Sequence, residues 1–204
     1  MKRNLSMLLL VILLFTVSGF SQAAENESVQ ITIFHTNDAH ARVESSASIV
    51  GYAKIAKIVN EAKAVNPNVL VLDAGDATHG QTIATLVRGE SIVDIYNAVG
   101  YDAMTLGNHD FNYGKARVLE LEAMAKYPFL AANVTNEDGT PFVERYIIKE
   151  LGGVKVGIFG LVTPETYYKS HPDNTKGLKI DNPIETAKTM VAELEDQTDI
   201  IVVL

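Results

Sequence analysis

The chain has 204 residues, with 17 basic and 25 acidic side chains that give a formal net charge of −8, and it contains no cysteine. The acidic balance argues against a protein that binds nucleic-acid polymers, because such proteins present basic surfaces. It is compatible with a small phosphorylated substrate, since a bound metal can supply the local positive charge. The lack of cysteine excludes disulfides, zinc–thiolate sites and thiol nucleophiles.

The first 24 residues have the pattern of a cleavable signal peptide. Basic residues at positions 2 and 3 precede an apolar run over Met7–Val17, and small residues that end at Ala24 offer a cleavage site. The run is shorter than the roughly 18 apolar residues that a membrane span requires. Cleavage would leave 15 basic against 25 acidic residues, a formal charge of −10. We therefore predict a signal peptide at 1–24 and one mature domain at 25–204, with no stable membrane span and a location outside the cytoplasm (periplasm, cell wall or secreted).

The mature segment alternates between strand-like and helix-like patterns, which is typical of an α/β fold. In chain order, strands are predicted at Val29–His35, Val69–Asp73, Ala103–Leu106, Phe129–Ala132, Val143–Lys149, Val154–Phe159 and Ile200–Leu204, and helices at Ser48–Val65, Ser91–Val99, Lys115–Lys126 and 182–194. Two glycines, Gly152 and Gly153, between β-rich runs predict a hairpin, so the sheets should be mixed. The polar segment Thr163–Leu178 predicts a surface excursion, with a lid as the alternative.

The first and last helices have the clearest patterns. The first opens on Ser48, which is able to cap it, and the last should begin with Asn182 as N-cap and Pro183 at the first helical position. Helical spacing predicts that the first buries Ile55, Ile58, Ala62 and Val65, and that the last buries Ile184, Ala187, Val191 and Leu194.

Three of the predicted strands end in polar clusters. These clusters are Asp38-Ala-His40, Gly75-Asp76 and Gly107-Asn-His-Asp110. In open α/β sheets, ligands bind outside the carboxyl ends of the strands. Oxygen and nitrogen donors without sulfur suit Mn, Zn, Fe, Co, Ni or Mg. Three such clusters at one sheet edge predict a polynuclear metal site.

Each cluster has a chemical rationale. Asp38 and His40 are two residues apart, so an extended segment would point both side chains to the same face. Asp76 follows a glycine that allows a sharp turn close to two ions. Asn108 offers an amide oxygen, and the adjacent His109 would point elsewhere and be free for acid–base work.

Other polar residues have weaker signals. His35 is predicted to be a packing histidine inside its strand, and His171 a surface residue. His79 is either a solvated loop residue or part of the site. Asp73, at a strand terminus, is expected to bond to backbone amides more than to act as a third carboxylate.

The three clusters, in this order and spacing, resemble those of the calcineurin-like metallophosphoesterases. The stretches from Phe34 to His40, from Leu72 to Asp76 and from Gly100 to Ala103, followed by the Gly-Asn-His turn, narrow the resemblance. They are similar to the amino-terminal catalytic domain of the exported 5′-nucleotidase family, including its 2′,3′-cyclic-nucleotide phosphodiesterase/3′-nucleotidase branch. The resemblance covers 29–204.

The resemblance implies a fold of two mixed β-sheets sandwiched between helices, incomplete at the C-terminus, and a nucleotide substrate. It implies two divalent metal ions (Mn, Zn, Co, Fe or Mg). Asp38 and His40 would hold the first ion, Asp76 would bridge both, and Asn108 would bind the second. His109 would stabilise the transition state or protonate the leaving oxygen while a metal-bound hydroxide attacks phosphorus.

The sequence departs from the family pattern in two ways. Asn112 stands where 5′-nucleotidases usually carry an aspartate that pairs with the catalytic histidine, and its Phe-Asn-Tyr-Gly context resembles the cyclic phosphodiesterase branch. The family also supplies further histidine ligands and a C-terminal substrate domain beyond the position of Leu204, so the 204-residue chain itself is expected to be inactive. The rival interpretation is a non-catalytic extracytoplasmic binding protein for a phosphorylated solute.

Overall fold

A computed structural model describes residues 28–204. The predicted signal peptide at 1–24 lies outside the described residues. The described part is an α/β structure in which sheets are flanked by helices, which confirms the predicted fold class. No helix within 28–204 combines the length and the apolar character that a membrane crossing needs.

The described elements alternate along most of the chain. The strands are β1 Thr32–Thr36, β2 Val69–Asp73, β3 Ala103–Thr105, β4 Phe129–Leu130, β5 Val134–Asn136, β6 Tyr146–Leu151, β7 Val154–Phe159, β8 Leu178–Ile180 and β9 Ile200–Val203. The α-helices are α1 Tyr52–Val65, α2 Thr82–Thr85, α3 Glu90–Val99, α4 Lys115–Met124, α5 Thr166–Lys169 and α6 Pro183–Leu194, and His109–Tyr113 and Pro172–Thr175 form 3₁₀ helices. The short elements β5, β8, α2 and α5 have no counterpart in the sequence prediction, because three or four residues are too few to show a period.

The described strands form three sheets. The first is parallel, with the order β1-β2-β3-β4. The second, β6-β7-β9, is mixed, because β6 and β7 are antiparallel whereas β7 and β9 are parallel. The predicted hairpin is confirmed, with Gly152 at φ 58° and Gly153 at φ 86°, the two positive values that a type I′ turn requires. The third sheet pairs β5 with β8.

The buried strand β2 shows how the layers are stacked. Leu72 packs in one core cluster with Ile158 of β7, so one face of the parallel sheet lies against the mixed sheet. Val71, one residue away and on the opposite face, belongs to a larger cluster with Val59 of α1 and Ile92 of α3. All five residues of β2 are buried, as expected for a parallel strand covered on both faces.

The helix α1 differs from its prediction at its start and in its buried face. It begins at Tyr52, and its N-cap is Gly51 at φ 79°, so Ser48 does not cap it. Ile55 and Ala62 pack against the core as predicted, beside the buried Tyr52 and Val59. Ile58 is 47% and Val65 is 89% exposed, so the prediction is wrong for these two residues. Apolar residues occur on more than one side of this helix, so spacing alone identified only part of the side that meets the sheet.

The helix α6 confirms its predicted cap but not all of its predicted face. The side chain of Asn182 accepts hydrogen bonds from the backbone N–H groups of Ile184 at 2.9 Å and Glu185 at 3.3 Å. Leu194 is fully buried as predicted, together with Met190. Ile184 is 66% exposed and Val191 is 39% exposed, so that part of the prediction is wrong.

Candidate metal centre

The polar clusters after β1 and β2 lie side by side. The parallel register brings the carboxyl ends of β1, β2 and β3 to one edge. Beyond that edge the two loops remain paired, since the N–H of Asp38 donates to the carbonyl of Gly75 at 3.0 Å and that of His40 to the carbonyl of Asp76 at 2.9 Å. Two of the three predicted clusters therefore form one backbone-paired surface.

Four non-glycine residues at this edge have left-handed backbones. The φ angles are 50° at Asp38, 46° at His40, 57° at Ala41 and 57° at Asp76. Such conformations cost about 1 kcal/mol or more each and are concentrated at functional sites. The prediction that Asp38 and His40 share a face of an extended segment is therefore wrong, because the segment curls. Asp38 is exposed, and its carboxylate accepts a hydrogen bond from Asn37 Nδ2 at 2.8 Å.

The turns after β2 and β3 touch through their glycines. Gly75 has a φ of 95°, and a Cβ there would lie 2.5 Å from the backbone nitrogen of Gly107. A Cβ on Gly107 would in turn lie 2.7 Å from Cγ of Asp76. Since real Cβ atoms do not approach this closely, only glycine at both positions allows the third cluster to reach the second.

Three donors converge where the turns meet. His40, Asp76 and His109 can each offer one ligand atom, and these atoms lie within 4.8 Å of one another. Burial raises the pKa of the Asp76 carboxyl, and a nearby cation would favour its ionised form again. Asn108 is buried, and its Nδ2 has no hydrogen-bond partner among residues 28–204. Rotation of the amide would place an acceptor oxygen there instead, so this donor set fits a divalent cation.

His109 is held on both sides. Its backbone N–H donates to Oδ1 of Asp76 at 2.7 Å, and its Nδ1 lies 2.9 Å from Nδ2 of Asn112. An amide N–H at Nδ1 leaves the ring proton on Nε2, whereas a rotated amide would accept a proton from Nδ1. The contact between residues 109 and 112, on which the predicted role of Asn112 depends, is therefore present.

His79 lines the site, which resolves the two alternatives left by the sequence. Its ring is parallel to that of His109, with centroids 5.8 Å apart. The ring of Tyr113 is also close, with its centroid 5.3 Å from that of His79, and its buried hydroxyl has no hydrogen-bond partner in the part of the chain that the structure describes. Partial burial lowers the pKa of His79, and His109 and His40 lower it further. Tyr113 was missed by sequence reasoning, because its position after Asn112 carries no chemical signal of its own.

Asp73 lies behind the site. It is fully buried and accepts hydrogen bonds from the hydroxyls of Thr36 and Tyr96 and from the N–H of Gly75. Burial raises its pKa to about 7. The expected bond to a backbone amide is therefore present. Asp73 connects the ends of β1 and β2 to α3.

The remaining histidines lie away from the cluster. His35 is exposed, so its prediction as a packing residue is wrong: no element within 28–204 covers it on this face of β1. His171 is on the surface as predicted. It precedes a 3₁₀ helix in the segment 163–178, and Asn174 of that helix donates to the carbonyl of Asn112 at 3.2 Å. This segment is thus packed against the element that carries His109.

Fold and donor set together define a metal-dependent phosphoesterase domain. The calcineurin-like phosphoesterase family matches the chain over residues 31–204. The chain therefore belongs to the calcineurin-like phosphoesterase family, and the resemblance drawn from its motifs is confirmed.

Several of the proteins that this chain is similar to are 5′-nucleotidases. A snake venom 5′-nucleotidase from Gloydius brevicauda is 37% identical over 182 residues, which cover 81% of this chain and 31% of the relative. Among solved structures, a 5′-nucleotidase precursor from Thermus thermophilus is 30% identical with a TM-score of 0.76, over 85% of this chain and 36% of its own. The NAD nucleotidase of Haemophilus influenzae is also 30% identical with a TM-score of 0.76, over 86% and 34%. The chain spans about a third of the length of these relatives.

Proposed function

We propose that this chain is the catalytic part of an exported, two-metal phosphohydrolase that removes phosphate from nucleotides. The observation that carries the proposal is the convergence of His40, Asp76 and His109 within 4.8 Å in a chain of the phosphoesterase family. The names of its relatives, which are 5′-nucleotidases and an NAD nucleotidase, favour a nucleotide as substrate. The signal-peptide pattern and the venom origin of one relative favour a location outside the cytoplasm.

The metal ligands would be the residues predicted from the motifs. Asp38 and His40 would hold the first ion, Asp76 both ions and Asn108 the second, with Mn, Zn, Co, Fe or Mg as candidates. When bound, such ions neutralise charge on a phosphoryl group and make water nucleophilic at neutral pH.

The protein's own contribution centres on His109. Asn112 holds the ring through Nδ1 and leaves Nε2 as the free nitrogen. In the doubly protonated ring, Nδ1–H would donate to the oxygen of a rotated Asn112 amide, and Nε2 could give its proton to the leaving oxygen and leave a neutral imidazole, a step that contributes about 10²–10⁴-fold in rate. The ring of His79 lies parallel to that of His109, with centroids 5.8 Å apart.

A second candidate is 2′,3′-cyclic-nucleotide phosphodiesterase/3′-nucleotidase activity. The observation that favours it is the direct contact of Asn112 with His109, since this asparagine is the feature that resembles the cyclic phosphodiesterase branch. An amide can donate to a neutral imidazole, which a carboxylate cannot do.

The test uses the longer protein that includes the C-terminal substrate domain expected from the relatives' length. With added Mn²⁺ or Zn²⁺, phosphate release is measured from 5′-AMP and 3′-AMP, and opening of 2′,3′-cyclic AMP to adenosine monophosphate is followed by chromatography. Asp76→Ala should abolish hydrolysis and lower the metal content at both sites, whereas Asp94→Ala, at an exposed position of α3, should change neither. Metal binding by Asp76→Ala with full activity would contradict the proposal, and nucleotide binding without turnover would favour the binding-protein interpretation.

Residues 25–204 alone should be inactive. The proposed ligands give the first ion three protein donors and the second two, fewer than the four to six that such ions prefer. Nucleotide turnover by this segment in the presence of Mn²⁺ would show that the ligand set is different.

A further inference from the structure

The carboxylate of Asp110 accepts five hydrogen bonds at the centre of the site. Oδ2 accepts from the backbone N–H of Asp76 at 2.9 Å and of Gly107 at 2.8 Å. Oδ1 accepts from the N–H groups of Ala77 at 3.1 Å and Thr78 at 2.9 Å, and from the Thr78 hydroxyl at 2.7 Å. Asp110 is only 2% exposed, so protein donors replace water around it.

The donors form a concave backbone surface. Three of the four backbone donors belong to the consecutive residues 76–78, and the first of these has the left-handed φ of 57°. Successive N–H groups in such a turn create a concavity that binds anions. Here the anion is the carboxylate of Asp110, which belongs to the loop after β3. No Lys or Arg within 28–204 forms an ion pair with this carboxylate. The four backbone N–H groups, together with the Thr78 hydroxyl, therefore surround this buried carboxylate in place of a cation.

The bonds link the two loops that carry the proposed ligands. One loop contains Asp76, and the other runs from Gly107 through Asn108 to Asp110 itself. With five bonds, the carboxylate has used its roughly four lone-pair directions, so it has no free acceptor left for a cation. Asp110 is thus suited to place ligands and not to be one.

We propose that Asp110 is a positioning residue, which fixes Asp76 and Asn108 relative to each other before a metal binds. The proposal rests on the proposed function, because the groups it positions are the proposed metal ligands. It also accounts for the strained backbone at Asp76, since a left-handed aspartate persists only where surrounding bonds over-determine it. No motif reasoning from side chains could have found this role, because four of the five partners are backbone groups.

The substitution that tests the proposal is Asp110→Asn. The shape of the side chain is retained, but on either side an NH₂ group would face two backbone N–H donors, so at least two hydrogen bonds are lost. Hydrogen exchange of the metal-free protein should become at least about tenfold faster at residues 76–78 and unchanged in β7, and Mn²⁺ affinity should fall at least about tenfold. Wild-type exchange and affinity, or equally faster exchange in β7, would overturn the proposal; the latter would show a general role in folding.

A milder variant covers the case in which Asp110→Asn does not fold. Thr78→Val removes one of the five bonds with almost no change in volume, at a residue that is 1% exposed. It should accelerate exchange at 76–78 and weaken Mn²⁺ binding about threefold, and wild-type values for both would overturn the proposal. If the wild-type protein bound no divalent ion, the proposed function would be wrong. Hydrogen exchange at residues 76–78 in the variant and the wild type would still test whether Asp110 holds the two loops together.

Discussion

The substitution Gly107→Ala should disable the metal centre and leave the fold intact. Gly107 does not have a positive φ, so the backbone accepts alanine at this position. The new Cβ would overlap Oδ1, the backbone nitrogen and Cγ of Asp76, and the longest of these three distances, to Cγ, is 2.7 Å, whereas ordinary van der Waals contact begins near 3.4 Å. The carboxylate must therefore move by more than about 0.7 Å, and because one of the overlapping atoms belongs to the backbone, the two turns must also separate.

A displacement of this size is large for a catalytic site. A misplacement of about 1 Å can cost about 10²-fold in rate, so we expect kcat/KM to fall by about 10- to 100-fold, with a parallel loss of Mn²⁺ affinity. Overpacking should lower the free energy of unfolding by about 1–3 kcal/mol. Steady-state kinetics at saturating Mn²⁺, metal titration and thermal unfolding measure the three quantities.

Gly139→Ala is the matched control. Gly139 has a φ of 84°, but a Cβ there would meet nothing within 4 Å. This variant should lose about 1 kcal/mol from backbone strain and keep full activity. Folded Gly107→Ala protein with wild-type kcat/KM and Mn²⁺ affinity would refute the reasoning, because the contact between the turns would then not determine the position of Asp76.

Three further predictions concern single groups. Asn112→Asp places a carboxylate against His109 and stabilises the charged imidazole, so kcat/KM should extend to higher pH if that form is the working one; an unchanged pH profile would contradict this. Burial raises the pKa of Asp73 from 3.8 to about 7, so the folded state holds this proton more tightly than the unfolded state does. The resulting gain in the free energy of unfolding is fully present below pH 3.8 and is lost by about pH 7, a change of about 4 kcal/mol. Urea unfolding from pH 4 to 7 should show this decline, and Asp73→Asn should flatten it. Asn182→Ala removes the cap of α6 and should cost about 1 kcal/mol in thermal unfolding; a Tm equal to wild type would contradict the cap's role.

Sequence reasoning placed correctly the elements whose position depends on neighbouring residues or on a uniformly apolar composition. The strand β2 is apolar throughout and is buried on both faces, and its predicted bounds agree with the structure. The strand β7 begins directly after a two-glycine turn, so its start was fixed by local chemistry. Asn182 was recognised as a cap for the same reason, since the cap involves only neighbouring residues.

The features that sequence reasoning missed depend on distant partners. The buried faces of α1 and α6 are selected by the layers against which they pack, which the helical period does not encode. The curled backbone at His40 depends on its bond to the carbonyl of Asp76 in another loop. The motifs identified the chemistry of the site, but its construction from backbone N–H groups around Asp110 is visible only in three dimensions.

The positive φ angles of the non-glycine residues in the metal centre affect what selection for thermal stability would do to this protein. Glycine would relieve the strain at His40 or Asp76, so a selection for thermal stability alone would favour replacing the very side chains proposed to bind metal. Thermostable variants obtained without a screen for activity should therefore accumulate substitutions at this edge and lose function. Stability and activity make opposite demands on the same few positions of this chain.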